Sequence, residues 1–279
     1  MDNCSAAPVS LAFYSKPLNL KSSTVLITGG GAGIGHCLAE RFLKSGSIVI
    51  ITGRCEDRLK KVKQKLSINN NGKIYYHAGD LASTEYRHRL CEWVVKEFPS
   101  INVLVNNAAT QRKETILNEG TAEWYERENE IHVNLSAPIH LSSLLIPYFL
   151  KQQKQCAVIN VTTGLAFIPT PYCAVYAATK AALHSFTMSL RFEFESTNIQ
   201  VYEILPPAIK PNLFGDFGVS VEEFCNEAYQ QFLAGKQEIG YDKSEEARMA
   251  SRQQLDHMFV DLNTMFKTVY KSLTEQEKL

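Results

Sequence analysis

Residues 24–35 read TVLITGGGAGIG: a β-branched apolar run that breaks into glycines at 29, 30, 31, 33 and 35. The run suits a buried strand, and the positions just beyond it, Leu38, Ala39, Phe42 and Leu43, recur at helical spacing. Strand, glycine turn and helix in that order let a backbone bend tightly and approach a pyrophosphate. Gly29, Gly33 and Gly35 put no side chain in the way, and the helix N-terminus offers unpaired N–H groups and the positive end of its dipole. The stretch therefore predicts the first βα unit of a parallel sheet, with a nucleotide site at its turn.

The alternation continues outward from there. Apolar runs at 48–51, 73–77, 101–105, 157–161 and 201–205 predict further strands, and 237–239 a curtailed last one. A helix is expected from about Ser83 to Phe98. A longer helical region is expected over 122–153, bent or divided at Pro138 and Pro147. Such alternation implies an α/β fold with a doubly wound parallel sheet in a single domain, residues 23–279, after a polar N-terminal arm at 1–22. An amphipathic helix is expected over 244–273, with Met249, Leu255, Met258, Phe259, Leu262 and Phe266 forming a stripe that covers the core or meets another subunit. Between the two, residues 212–240 are a candidate substrate flap. There Phe214, Phe217, Val219, Val221 and Phe224 serve either as its apolar surface or as ordinary packing.

Composition excludes several function classes. The chain has 279 residues, with 29 acidic side chains against 29 basic ones, so nothing points to nucleic acid or a membrane surface. Seven scattered cysteines without a C-x-x-C pair fit neither a disulfide framework nor a zinc site, and are expected to be reduced thiols in a cytoplasmic protein with no metal. No run of 18 apolar residues predicts a membrane span, and the N-terminus lacks the pattern of a signal peptide.

The chemistry-bearing residues gather after the strand ending at Val161. Tyr176 and Lys180 stand four apart on one helix face, and Thr163 lies thirteen residues before the tyrosine. An ammonium near a phenol favours the phenolate, so Lys180 is expected to lower the pKa of Tyr176. Together a hydroxyl, a phenol and an ammonium can hold and protonate a carbonyl oxygen. Gly53 stands where a carboxylate would select NAD, and Arg54 follows it; a guanidinium there can take a 2′-phosphate in forked fashion, so NADP(H) is expected over NAD(H). Asp80 either accepts from an adenine amino group or caps the next helix. Asn134, among apolar neighbours, must find partners for its amide.

Thr28-Gly29-x-x-x-Gly33-x-Gly35, Asn106-Asn107-Ala108, Asn134, Thr163 and Tyr176-x-x-x-Lys180 occur in the order and spacing of the short-chain dehydrogenase/reductases, over about residues 22–210. The run around Thr163 and the Pro206-Pro207 pair most resemble the DltE-like oxidoreductases of that family. The resemblance implies a Rossmann-type fold with a C-terminal helical substrate lid, and a small-molecule carbonyl or alcohol substrate. It also implies a tetrad in which Tyr176 is the general acid/base, Lys180 tunes it and binds the nicotinamide ribose, Thr163 orients the carbonyl and Asn134 holds a relay water. It further implies an NADP(H) site drawing on Thr28, Gly29, Gly31, Gly33, Ile34, Gly35, Arg54, Asp80, Leu81, Asn107, Ala108, Tyr176, Lys180, Pro206 and Ile209, and a homodimer or homotetramer. A nucleotide-binding scaffold without chemistry and an NAD-linked alcohol dehydrogenase are the alternatives. Departures from the family pattern fall at Thr163 (commonly serine), Ala109 (glycine), Pro207 (glycine) and Pro211 (threonine).

Overall fold

The computed structural model describes residues 18–68, 73–115, 123–211 and 217–276, so the arm at 1–17 and Phe214 lie outside the described residues. The strands are β1 (Thr24–Thr28), β2 (Ile48–Gly53), β3 (Ile74–Ala78), β4 (Ile101–Asn106), β5 (Cys156–Val161), β6 (Ile199–Leu205), the two-residue β7 (Ile209–Lys210) and β8 (Val219–Ser220), and β9 (Glu238–Gly240). Seven of them form one parallel sheet in the order β3-β2-β1-β4-β5-β6-β9, while β7 and β8 pair apart. Every residue of β1, β4 and β5 is buried, which explains why these strands read as near-continuous apolar runs without alternation: helices cover both faces.

The helices are α1 (Gly33–Lys44), α2 (Glu56–Ser67), α3 (Thr84–Glu97), α4 (Trp124–Ile131), α5 (Ala137–Phe149), α6 (Ala174–Glu193), α7 (Val221–Leu233), α8 (Lys243–Met249) and α9 (Arg252–Gln276). One core joins Leu38 and Phe42 of α1, Leu59 and Val62 of α2 and Phe224, Tyr229 and Phe232 of α7 to one sheet face. The other joins Leu90 and Val94 of α3, Leu141, Leu145 and Phe149 of α5 and Leu190 of α6 to the opposite face. Strand order reverses between β1 and β4, and such a switch point leaves a crevice at the carboxyl ends of the strands.

Four expectations are corrected. The 122–153 region is divided not by its prolines but by a π turn, His132–Ser136, between α4 and α5. Pro138 sits in the first turn of α5, and Pro147 is carried within α5. The C-terminal helix is two helices, parted at Ala250 and Ser251. Ser251 and Gln254 cap each other, Ser251 N–H donating to Gln254 Oε1 at 2.8 Å and Gln254 N–H to Ser251 Oγ at 3.4 Å, an S-x-x-Q box that starts α9. Among the described residues of the 212–240 segment, the apolar face of α7 is core rather than flap: Phe224 is fully buried in the cluster it shares with α1, and Val219 and Val221 pack against the same cluster. Asp80 does not cap α3; Ser83 does, accepting from Tyr86 N–H at 3.1 Å, while Asp80 accepts from Ala82 N–H in a local turn.

Candidate active site

At the β1–α1 turn, Gly29 and Gly33 have positive φ (68° and 54°), where a side chain would be strained. A Cβ on Gly35 would lie 2.4 Å from Gly29 O and 2.4 Å from Asn107 Nδ2, so the turn closes only on glycine. A Cβ on Gly33 would meet nothing within 4 Å; it would project into an open cradle before the first turn of α1. There the N–H groups of Gly33, Ile34 and Gly35 have no helical acceptor, because an α-helix leaves its first donors unpaired. A pyrophosphate fits that cradle in shape and in charge.

Several predicted contact residues build the cradle from behind. Thr28 Oγ1 donates to Val105 O at 3.2 Å and accepts from the N–H of Asn107 at 2.9 Å and of Ala108 at 3.0 Å. Asn107 Nδ2 donates back to Thr28 O at 2.9 Å. These bonds lock the ends of β1 and β4 together across the switch point. Gly31 lies beside Arg58 and Leu59, and Leu81 is buried in the second core. Arg54, at the end of β2, lines a cleft of about 510 Å³ together with Thr110, Arg112, Tyr125 and His132.

The acid–base groups converge at the end of β5. Thr163 stands two residues beyond that strand, and its Oγ1 accepts from Leu165 N–H at 3.3 Å. Tyr176, in the first turn of α6, brings its phenol to the neighbourhood of the Thr163 hydroxyl, which favours the phenolate. One turn on, Lys180 buries its ammonium: Nζ donates to Val161 O at 2.7 Å and lies 5.8 Å from the Tyr176 ring centroid. Asn134 sits in the π turn, an irregularity that often marks a functional position. Its amide is fully satisfied by Thr110, accepting from the N–H and donating to the carbonyl, each at 2.8 Å, with Thr179 Oγ1 at 3.3 Å. Thr179 Oγ1 donates to Tyr176 O at 2.7 Å, so a chain of hydrogen bonds ties α6 to the π turn. Pro206 O accepts from Gly164 N–H at 3.3 Å, and Ile209 is half-buried in β7.

Electrostatics overturn one expectation. The Tyr176 phenol stands above the ordinary tyrosine range, because burial disfavours the phenolate, with Cys173 adding to the rise and the Thr163 hydroxyl opposing it. Its neighbours are Leu165, Tyr172, Phe217, Leu262 and Phe266, an apolar cluster in which α9 comes down over the site. Burial also brings the Lys180 ammonium down to about 8, against a pull upward from Glu203. Cys173 and Glu130 were not anticipated here: burial raises the Glu130 carboxyl to about 7, and its charge acts on both Cys173 and Tyr176. The signal was available for Glu130, an acidic residue one helical turn before Asn134 on a face that turns inward.

A dinucleotide-type cradle and a Thr–Tyr–Lys cluster at the carboxyl end of one parallel sheet define the class. A sequence model of the short chain dehydrogenase family matches residues 23–218, and the chain belongs to that family of oxidoreductases. It is 41% identical over 256 residues to the uncharacterized oxidoreductase DltE of Bacillus subtilis (strain 168), across 88% of this chain and 99% of that protein. Its fold is similar to that of a short-chain dehydrogenase from Sphingobium yanoikuyae in complex with NADPH (TM-score 0.72, 23% identity, 88% of this chain and 95% of that one). It is also similar to L-sorbose reductase from Gluconobacter frateurii complexed with NADPH and L-sorbose (TM-score 0.69, 26% identity, 79% and 95%). No helix among the described residues is long and apolar enough to cross a membrane.

Proposed function

We propose that this protein is an NADP(H)-dependent oxidoreductase that interconverts a carbonyl compound and an alcohol, with Tyr176 as general acid/base. The observation that carries the reading is the gathering of Thr163, Tyr176 and the buried Lys180 ammonium, which is seated on Val161 O at 2.7 Å and lies 5.8 Å from the Tyr176 ring centroid, at the same sheet end as the open glycine cradle. NADPH, when bound in that cradle, supplies hydride to the carbonyl carbon. The chain does the rest. Thr163 and Tyr176 hold the carbonyl oxygen, and Tyr176 gives up its proton as negative charge grows there. A phenol kept protonated by burial is suited to the reducing direction. Lys180, still an ammonium at neutral pH, stabilises the phenolate left behind.

The π turn serves proton resupply. Pro138 stands four residues after Asn134 and has no N–H, so the Asn134 carbonyl lacks its α-helical donor, and Asn134 is the proposed holder of the relay water. Leu165, Tyr172, Phe217, Leu262 and Phe266 favour a largely apolar carbonyl compound, and α9 with Phe217 acts as the lid. The test is NADPH consumption across ketones, aldehydes and diketones, with alcohol formed in equal amount; no consumption anywhere in the panel would favour a scaffold instead.

Arg54 is the proposed 2′-phosphate ligand, and two NADPH-complexed neighbours support that choice. A forked, charge-assisted contact is worth about 1.5–3 kcal/mol. Arg54→Ala is therefore expected to weaken NADPH by about 10- to 100-fold in a fluorescence titration and to leave NADH within about twofold; equal losses would assign Arg54 to the solvated surface.

A further inference from the structure

A carboxylate stands in the buried part of a largely apolar strand. Glu203 of β6 is fully buried. Its oxygens accept from Thr162 Oγ1 at 2.5 Å and lie 2.8 and 3.0 Å from His184 Nδ1. Both partners belong to the neighbourhood of the buried lysine. Thr162 lies between Val161, whose carbonyl takes the Lys180 ammonium, and Thr163. His184 follows Lys180 by one turn of α6, so the two side chains leave the same helix face. In the sheet register Glu203 sits opposite Asn160 and Ile204 opposite Val161, which places the carboxylate one step below the lysine's acceptor.

We propose that Glu203 is the positioning residue for Lys180: a buried counter-charge, clamped by Thr162 and His184, that keeps the lysine ammonium charged and seated on Val161. The inference rests on the proposed role of Lys180. Its physical ground is that a buried ammonium whose hydrogen-bond acceptor is a neutral carbonyl has lost its water and gained no charge in return, so it sheds its proton unless an anion lies near. Glu203 is that anion, acting upward on Lys180 against the effect of burial.

His184 keeps the anion in place. Burial works against its protonation, but the hydrogen bond and charge of Glu203 outweigh it and raise the imidazole above its ordinary range. Glu238 of β9 acts in the same sense, Arg191 of α6 opposes, and Phe167 packs edge-on against the ring at 4.7 Å. The imidazole is about one-fifth exposed (21%), so it joins the carboxylate to solvent while Glu203 itself stays sealed. Thr162 and His184 also explain why the site tolerates the carboxylate: a buried acid with hydrogen-bond donors on both oxygens is far less costly than a bare one.

The test reads Lys180 directly and needs neither cofactor nor turnover. Lysine labelled with ¹³C at Cε gives a titrating signal in the NMR spectrum, assigned to Lys180 by its loss in Lys180→Met. Glu203→Gln keeps the shape and one acceptor oxygen for Thr162 and His184, turns the other into an NH2 donor and removes the charge, and is expected to lower the Lys180 pKa by about one unit or more. In an enzyme that turns over NADPH, the alkaline limb of kcat/KM moves down by the same amount while the value on the plateau changes little. Glu203→Asp is expected to give a smaller shift, and stands in should Glu203→Gln fail to fold. A Lys180 titration unmoved in the folded variant overturns the proposal, as does a loss of activity equal at every pH. Because the titration requires no activity, a wild-type protein inert toward carbonyls would refute the proposed reaction without touching this result.

Discussion

Tyr176→Phe is expected to lower kcat by about 10²- to 10⁴-fold, the range of general acid–base catalysis, while NADPH binding stays within about threefold. The hydroxyl is the group of the site placed to give a proton: it faces Thr163, and the Lys180 ammonium lies behind its ring at 5.8 Å. The ring itself packs in the apolar cluster of Leu165, Tyr172, Phe217 and Phe266, and phenylalanine preserves that packing. A loss confined to kcat is what removal of a proton donor produces. Undiminished turnover in the variant would remove Tyr176 from the mechanism. A drop in thermal stability large enough to unfold the protein would show that the hydroxyl was structural.

Gly35→Ala is expected to weaken NADPH by about 100-fold or more and to cost about 1–3 kcal/mol of stability, since the new methyl must overpack a closed turn. Its Cβ would lie 2.4 Å from Gly29 O and from Asn107 Nδ2, and neither can retreat. Gly29 is tied to β2 through its N–H on Thr52 O at 2.8 Å, and Asn107 is held by Thr28 at 2.9 Å. The strain is therefore passed to the cradle itself, opening the turn from which the first N–H groups of α1 project. Melting curves with and without NADPH separate the two effects. Retained affinity in a folded Gly35→Ala protein would mean that the dinucleotide does not use this turn.

The parts of the fold that sequence reading reached are those set by local pattern. Buried parallel strands are β-branched runs whatever lies around them, so β1, β2, β4, β5 and β6 were visible to within a residue or two. The Gly29–Gly35 turn and the Tyr176–Lys180 spacing are equally local. What was missed depends on neighbours distant in sequence. Phe224 looks like a flap residue until α7 is seen lying on α1, and a helix rich in apolar residues does not announce which layer it joins. The amide of Asn134 in the π turn is held by Thr110, 24 positions away. The phenol of Tyr176 was expected to be lowered by Lys180, four residues on; burial beneath α9, nearly a hundred residues later, decides the matter the other way. Two signals were present and unread. Ser251-x-x-Gln254 marks a helix start inside what looked like one long helix, and Glu203 is a charge inside a buried strand.

Deuterium transfer is the most direct measurement of whether the cradle and the Tyr176 cluster act on one reaction. NADPH carrying deuterium at the transferable C4 position is mixed with the protein and the carbonyl panel, and the alcohol formed is analysed by mass spectrometry. The account predicts one deuterium on the new carbinol carbon for each NADPH oxidised. Alcohol formed without the label, or NADPH bound and never oxidised, would contradict it.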